Sequence, residues 1–421
     1  MSLLNLSWKN LTNKPMSMLL SLVLFALGVG LISLLFLMEN QLQKNFEKNL
    51  AGIDLVIGAK GSPLQMILCS MYHIDAPTGN VSIGEIRPFL NPKHPLIQTA
   101  IPLSMGDNYR AHRIVGTETK ILEIYDAKLA EGKLWERNFE VTIGAAVAKK
   151  VGLKIGDIFS SSHGFEDEEE FAHDDTSFKI VGILEPSGTV LDQLILCTTQ
   201  TYWLTHAHEG EEEDHEGHDH APGEHPQEIP KPLLQEDNEQ EITSLLIKFK
   251  GRNFQALNMQ RSINENTDLQ AATPAIEITR LFDLMSSAEQ ALRILAIVII
   301  FVSGLSIFIS LYSSLKDRKY ELALMRVMGA TPNKLFFLIV IEGLLLAVLG
   351  YLIGIFLSHG GMQIFASVME SSYRYDFSGL TFLLQEGYLL IGALLVGFIA
   401  AVIPAIQAAK TDISETMSQG K

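Results

Sequence analysis

Residues 316–334 read KDRKYELALMRVMGATPNK, and long apolar runs lie on both sides of them. The stretch holds Lys316, Arg318, Lys319, Arg326 and Lys334, with Asp317 and Glu321 as its acids. A short loop this rich in Lys and Arg beside a membrane span marks the cytoplasmic side. In its middle, Leu322, Leu324, Met325, Val327 and Met328 give a short helix an apolar side. Gly329 ends that helix, because glycine takes the left-handed conformation at a helix C-terminus without a Cβ clash. Pro332 cannot continue the same helix but suits the first turn of the next. The expectation is a short amphipathic helix pinned between two spans. Two roles are open to it: docking a soluble partner, or acting as a solvated basic loop that only sets orientation.

Working outward, residues 294–315 are uncharged between Arg293 and Lys316, and residues 335–358 carry one acid, Glu342. Residues 16–38 and 387–409 are similar apolar runs. Each is long enough to cross a ~30 Å hydrocarbon layer at ~1.5 Å per residue. The first competes with a cleaved secretory signal, whose apolar region is about 7–15 residues before small residues. This run is longer and ends Leu37-Met38-Glu39-Asn40, so a retained helix is expected, with Lys9 and Lys14 holding the N-terminus inside. Glu342 lies about 12 Å along a helix from Lys334. A carboxylate there is costly unless it faces protein or water, so it should point into a helix interface. Structural bonding is its expected role, with a proton relay as the other reading.

The expected division is a cytoplasmic N-terminus (1–15), a first span (16–38) and an extracytoplasmic domain (39–289). A second span (290–315), the cytoplasmic stretch (316–334) and a third span (335–358) follow. An outside loop (359–386), a fourth span (387–409) and a cytoplasmic tail (410–421) complete the chain. The fold class is an α-helical membrane protein with four transmembrane helices, plus an α+β extracytoplasmic domain inserted between helices 1 and 2.

The chain has 421 residues, 47% of them hydrophobic, and a net charge of −16. Its mean hydropathy is +0.20. Since the span borders are basic, the acid is concentrated elsewhere. Cys69 and Cys197 are too few for a disulfide framework; pairing and burial as small apolar residues both remain open. Within 39–289, residues 41–49 and 274–289 read as helical stalks. Residues 53–63 read as a strand leading to a Gly-rich turn, 141–151 as a strand leading into a short helix, and 152–157 as a turn. Residues 178–184 alternate as a strand, and 242–249 read as a returning strand. The phosphate-loop spacing GxxxxGK[ST] occurs nowhere, so any ATPase is a separate chain. A nucleophile elbow and HExxH are missing too, so no catalytic residue is assigned.

Residues 206–225 read HAHEGEEEDHEGHDHAPGEH. His206, His208, His215, His218, His220 and His225 stand among carboxylates with no Lys or Arg. Such a composition cannot build a packed core and reads as a solvated loop. Imidazole and carboxylate both ligate divalent metals, and tracts of this kind suit Zn, Ni or Cu. The irregular spacing argues against a rigid tetrahedral site. A solubilising acidic loop is the plainer reading. His163 and His173, with the acids of 166–170, form a thinner cluster of the same kind.

The order Arg318-Lys319-Tyr320-Glu321-Leu322-Ala323-Leu324-Met325-Arg326-Val327-Met328-Gly329-Ala330-Thr331, followed by Glu342-Gly343, resembles the cytoplasmic stretch of MacB/FtsX-like ABC transporter permeases. The succession Gly144, Ala148, Gly152-Leu153, Gly156-Asp157, Phe178 and Val181-Gly182-Ile183-Leu184 resembles the extracytoplasmic core domain of the same family. Pro404-Ala405, Ala408-Ala409-Lys410 and Glu415 resemble its C-terminal ending. The resemblance implies that 316–334 holds a coupling helix that receives an ATPase, with Arg318, Glu321, Arg326, Gly329 and Ala330 as the docking surface. It implies a permease in the bacterial inner membrane, with both termini cytoplasmic. It also implies a homodimer or a pair with a related permease, two ATPase subunits that bind the ATP, and no nucleic-acid partner. The domain outside would act on a lipoprotein, a peptide or an export partner. The histidine tract departs from the family pattern and adds zinc as an open cofactor. The alternative from another class is a membrane-anchored metal-binding or sensor protein without a transport cycle.

Overall fold

Residues 3–12, 15–163, 177–207, 228–251, 254–372 and 377–410 are described by the structure, a computed structural model. The elements begin with α1 (Leu3–Thr12), α2 (Pro15–Leu50), β1 (Leu55–Ala59), α3 (Pro63–Tyr72), β2 (Val81–Ser82) and α4 (Ile83–Ile86). Next come β3 (Ile97–Tyr109), β4 (His112–Thr117), α5 (Ile121–Ile124), β5 (Leu129–Gly132), β6 (Glu140–Ile143) and α6 (Ala145–Val151). Then follow β7 (Ile158–Phe159), β8 (Ser162–His163), β9 (Phe178–Leu184), β10 (Ile195–Cys197) and α7 (Thr199–Ala207). After these stand β11 (Glu241–Ile242), β12 (Ser244–Phe249), α8 (Phe254–Asn266) and β13 (Leu269–Ala272). The chain ends with α9 (Pro274–Asp317), α10 (Lys319–Val327), α11 (Pro332–Ser372) and α12 (Leu384–Ala409). Two units result, one of residues 1–43 with 285–421 and one of residues 44–284.

The first unit holds the apolar parts of four helices that, among the described residues, are long and apolar enough to cross a membrane: Met18–Leu50, Pro274–Asp317, Pro332–Val368 and Leu384–Ala409. Phe25 and Val29 of α2 pack with Ile307 and Leu311 of α9, Leu346 and Ala347 of α11, and Ala393, Ala400 and Ala401 of α12. Glycine sets the closest approach. A Cβ on Gly343 would stand 2.6 Å from that of Ala401 and 2.9 Å from the Gly397 carbonyl oxygen. Small residues let helix backbones meet where lipid provides no hydrophobic drive between helices.

Two features of this unit differ from the sequence reading. Residues 359–386 were expected to form a loop, yet α11 runs on to Ser372 and α12 begins at Leu384. Gly360-Gly361 looks like a break, but Met362 and Ala366 beyond it keep the helical period and are buried. The N-terminal helix α1 was not anticipated. It is amphipathic, and it buries Ser7, Asn10 and Leu11.

The second unit is built on one mixed sheet of eleven strands, ordered β13-β1-β12-β3-β4-β10-β6-β9-β5, with β7 on β9 and β8 on β3. Its central strands are covered on both faces. Leu246 of β12 shares a core with Val56, Ile101 and Leu103, while Leu245 and Ile247 share another with Leu55, Ile57 and Ile97. Successive strand residues point to opposite faces, so a strand covered on both is apolar throughout, as the SLLIKF of β12 largely is. The strand at 178–184 is β9, parallel to β6. Gly152 caps α6 in the left-handed conformation at φ +78°. The Gly-rich turn after β1 starts α3, where Ser62 Oγ accepts from the Gln65 N–H at 3.3 Å. Cys69 and Cys197 are free and buried, which removes the pairing alternative. Burial pushes both thiols up.

Candidate functional site

The segment between α9 and α11 folds as the sequence reading expects at its end. Gly329 has φ +96°. The Ala330 N–H donates to the Met325 carbonyl at 2.9 Å, and the Gly329 N–H donates to the Arg326 carbonyl at 3.0 Å. This pair of bonds is the Schellman arrangement, which satisfies the last carbonyls of a helix. Thr331 then caps α11, its Oγ1 accepting from the Lys334 N–H at 3.4 Å, with Pro332 in the first turn.

The side of α10 that faces the protein is different from the one expected. Leu322 and Ala323 are buried, and Leu322 shares a core with Leu315, Leu335, Leu338, Ala405 and Ala408. Met325 packs against that core. Leu324, Val327 and Met328, read from sequence as part of one apolar side, are exposed together with Tyr320. The cause is the helical period: 320, 324, 327 and 328 share one face, 322 lies opposite to it, and 323 lies past its edge, beside 327. The helix therefore has two apolar faces, one sunk into the bundle and one open.

The basic residues hold the helix in place. Arg318 Nε donates to Glu321 at 3.1 Å, and its NH1 donates to Glu342 at 3.4 Å. Its side chain is 11% exposed, and that of Glu342 is 1% exposed. Asn10 Nδ2 of α1 donates to the same Glu342 oxygen at 2.7 Å, and Ser7 Oγ donates to the Leu338 carbonyl at 3.3 Å. Buried carboxylates persist only where such donors replace water. Arg326 NH1 reaches the Ala409 carbonyl at 3.3 Å.

Of the residues assigned to docking from sequence, Glu321 and Gly329 are exposed, Ala330 and Arg326 are half-buried, and Arg318 is turned inward. Tyr320, Leu324, Val327 and Met328 were not assigned. The i, i+4, i+7, i+8 spacing of these four was the available signal. Asn10 had no signal, since its partner is 332 residues away.

Of the histidine tract, His206 lies in α7, while His208, His215, His218, His220 and His225 fall outside the described residues. His163 lies in β8, and His173 and residues 166–170 fall outside as well. Among the described residues no group of three or more His, Cys, Asp or Glu is placed to hold a metal ion.

Comparison with known proteins gives two matching family models. Residues 293–413 match the FtsX-like permease C-terminal model, and residues 18–220 match the MacB-like periplasmic core domain. No curated protein matches the chain. Among solved structures, the periplasmic region of MacB from Actinobacillus actinomycetemcomitans is similar at 12% identity and a TM-score of 0.32, covering 55% of this chain and 94% of that one. The extracellular domain of the noncanonic ABC-type transporter YknZ from Gram-positive bacteria is similar at 10% identity and a TM-score of 0.29, covering 52% and 99%.

Proposed function

Because this chain belongs to the MacB/FtsX-like family of ABC transporter permeases, we propose that a separate ATPase subunit docks on the open face of α10. ATP stays on that subunit, and this chain supplies no catalytic residue. The supporting observation is the exposed stripe of Tyr320, Leu324, Val327 and Met328 on a helix fastened from behind. Contiguous exposed apolar side chains mark surfaces that another protein covers. Glu321 and Gly329 would stand at the rim of the contact, while Arg318 and Arg326 orient the helix.

In this reading the ATPase lies in the cytoplasm with both termini of the chain, in the bacterial inner membrane. A second copy or a related permease completes the pair. Each ATPase cycle moves α9, which has Pro274 only in its first turn and Gly304 as its interior glycine. The extracytoplasmic domain then acts on an envelope substrate such as a lipoprotein, a peptide or an export partner. The test is co-purification in mild detergent from the native membrane, scoring ATPase subunits by mass and ATP hydrolysis. The intact chain brings the ATPase down, and Leu324→Glu with Val327→Glu does not. Absence of an ATPase from the intact chain sinks the reading.

We further propose that the histidine tract links the permease to zinc, capturing the ion or passing it to a partner. Its composition supports this, since imidazole and carboxylate both bind divalent metals. The chain and a variant lacking residues 208–225 would be compared by zinc titration and by zinc dependence of the ATPase rate. Identical behaviour of the two ends the zinc proposal.

A further inference from the structure

Beside α7, the second unit holds an open cleft of about 750 Å³. Gln200, Trp203 and Leu204 of α7 line it on one side, and residues 228–231 and 239–241 on others. Asn138, only 6% exposed, reaches it from the buried side. The orientation of that side chain is fixed from behind. The Phe139 N–H donates to Thr201 Oγ1 at 2.9 Å, and the Thr201 N–H donates to Thr198 Oγ1 at 3.2 Å. The two hydroxyl oxygens are 2.8 Å apart, and Thr198 Oγ1 donates to Asn138 Oδ1 at 2.8 Å. Each hydroxyl has one hydrogen to give. Thr201 gives its hydrogen to Thr198, and Thr198 gives its own to the Asn138 carbonyl. Turning the amide over would strand one hydroxyl hydrogen, a costly state because both threonines are buried. Nδ2 is therefore the end that opens to the cleft, with no hydrogen-bond partner among the described residues.

We infer that this cleft binds a short basic peptide, with Asn138 Nδ2 donating to one of its backbone carbonyls. The inference rests on the reading that the extracytoplasmic domain acts on an envelope substrate, and it selects the peptide among the classes named there. Charge is the first argument. Glu228, Glu236, Glu239 and Glu241 line the cleft against Lys231. A cleft lined by one sign of charge concentrates ligands of the other. Among the described residues no three acids converge on a point fit for a metal ion, so the attraction suits an extended cation. Asn138 is the second argument. A fixed N–H donor selects an acceptor. The surrounding carboxylates repel an anionic acceptor, which leaves a neutral oxygen such as a peptide carbonyl. Trp203 is the third. Its Nε1–H is fastened to the Glu241 carbonyl at 2.6 Å, and aromatic rings attract the cationic ends of Lys and Arg. A ligand with cationic side chains on a carbonyl-bearing backbone meets all three features at once. The volume is that of a site for a small molecule or a short peptide.

The test is titration calorimetry on the full chain in nanodiscs of zwitterionic lipid, which carries no net charge to attract the probes. Two probes of equal charge are compared: a capped peptide of four lysines alternating with alanine, and spermine, a polyamine without carbonyl groups. Both bind the unmodified chain. Asn138→Ala weakens the peptide by about threefold to tenfold, the worth of one neutral hydrogen bond, and leaves spermine unchanged. Glu239→Gln with Glu241→Gln weakens both probes by about threefold or more. This second variant changes exposed side chains only, so it reports even where Asn138→Ala fails to fold. The titration needs no ATPase. A chain that brings down an ATPase but binds no peptide loses this site alone, and one that binds peptide without an ATPase loses the permease reading alone. Absence of saturable peptide binding overturns the inference. So does Asn138→Ala when it weakens both probes alike or neither, and so does unchanged affinity in the glutamate variant, which would place the attraction elsewhere on a chain of net charge −16.

Discussion

Asn10 and Glu342 meet at 2.7 Å, joining the N-terminal helix to the first half of α11. Arg318 reaches the same oxygen from the start of the segment that carries α10. One buried carboxylate therefore fixes three elements around the proposed docking helix.

Removing that carboxylate takes the acceptor from Asn10 and leaves Arg318 with its Glu321 contact. Breaking a buried pair by deleting one partner costs about 3–5 kcal/mol. Glu342→Ala is expected to lower the midpoint of thermal unfolding in detergent strongly, and Glu342→Gln, which still accepts from Asn10, lowers it less. Arg318→Ala combined with Glu342→Ala costs less than the sum of the two, because the partners share one interaction. Strict additivity would show that they do not interact.

Gly343 and Gly397 face each other where α11 meets α12. A side chain at either position must push the backbones apart, at about 1–3 kcal/mol. Gly343→Val and Gly397→Val should each reduce thermal stability, and the double variant should cost less than the two together. Unchanged midpoints would contradict the close approach.

In the extracytoplasmic unit, His73 Nδ1 is sealed from solvent and has no hydrogen-bond partner among the described residues. Burial, with a further contribution from Arg113, pushes the ring's pKa down to about 3. Between that value and the unfolded value of about 6.5, the unfolded chain binds a proton that the folded chain refuses. Stability therefore rises with pH across that window and is lost on acidification, at up to about 1.4 kcal/mol per pH unit. His73→Asn suits the left-handed backbone there, φ +54°, and removes the titration. The acid side of a stability-against-pH curve should flatten in the variant. An unchanged slope would assign the acid loss elsewhere.

Glu140 adds to that acid loss at lower pH. Burial alone would raise its pKa, but Lys133 at 2.7 Å and the backbone N–H groups of Glu136 and Arg137 outweigh burial and lower it. Its stabilisation is present above the unfolded value and is lost as pH falls through the folded one. Glu140→Gln should remove the part of the acid loss that lies below the ordinary carboxylate range. A curve identical to that of the unmodified chain there would contradict this.

Local chemistry was legible in the sequence where one residue decides the outcome. Gly329 and Pro332 marked the end of α10 and the start of α11, because few residues tolerate those backbone positions. The strand at 178–184 was legible from its own alternation. What the sequence left open were choices made between distant residues. The pattern Leu322, Leu324, Met325, Val327, Met328 marks a helix as apolar, but only α11 and α12 determine that Leu322 and Ala323 turn inward. Glu342 was expected in an interface, and its cost of burial was the reason; Asn10 as its partner required the fold. The 2.9 Å contact between His359 Nε2 and Glu386 Oε1 was hidden because both residues fell within an expected loop, at 359–386.

The central claim is that α10 presents its open face to an ATPase, and a contact measurement tests it most directly. A photocrosslinking amino acid would be placed at Leu324 and, in a second chain, at Leu322, and both irradiated in native membranes during ATP turnover. The account predicts a crosslink from position 324 to an ATPase subunit and none from position 322, which lies in the bundle core. No crosslink from 324, or equal crosslinks from both positions, would contradict it.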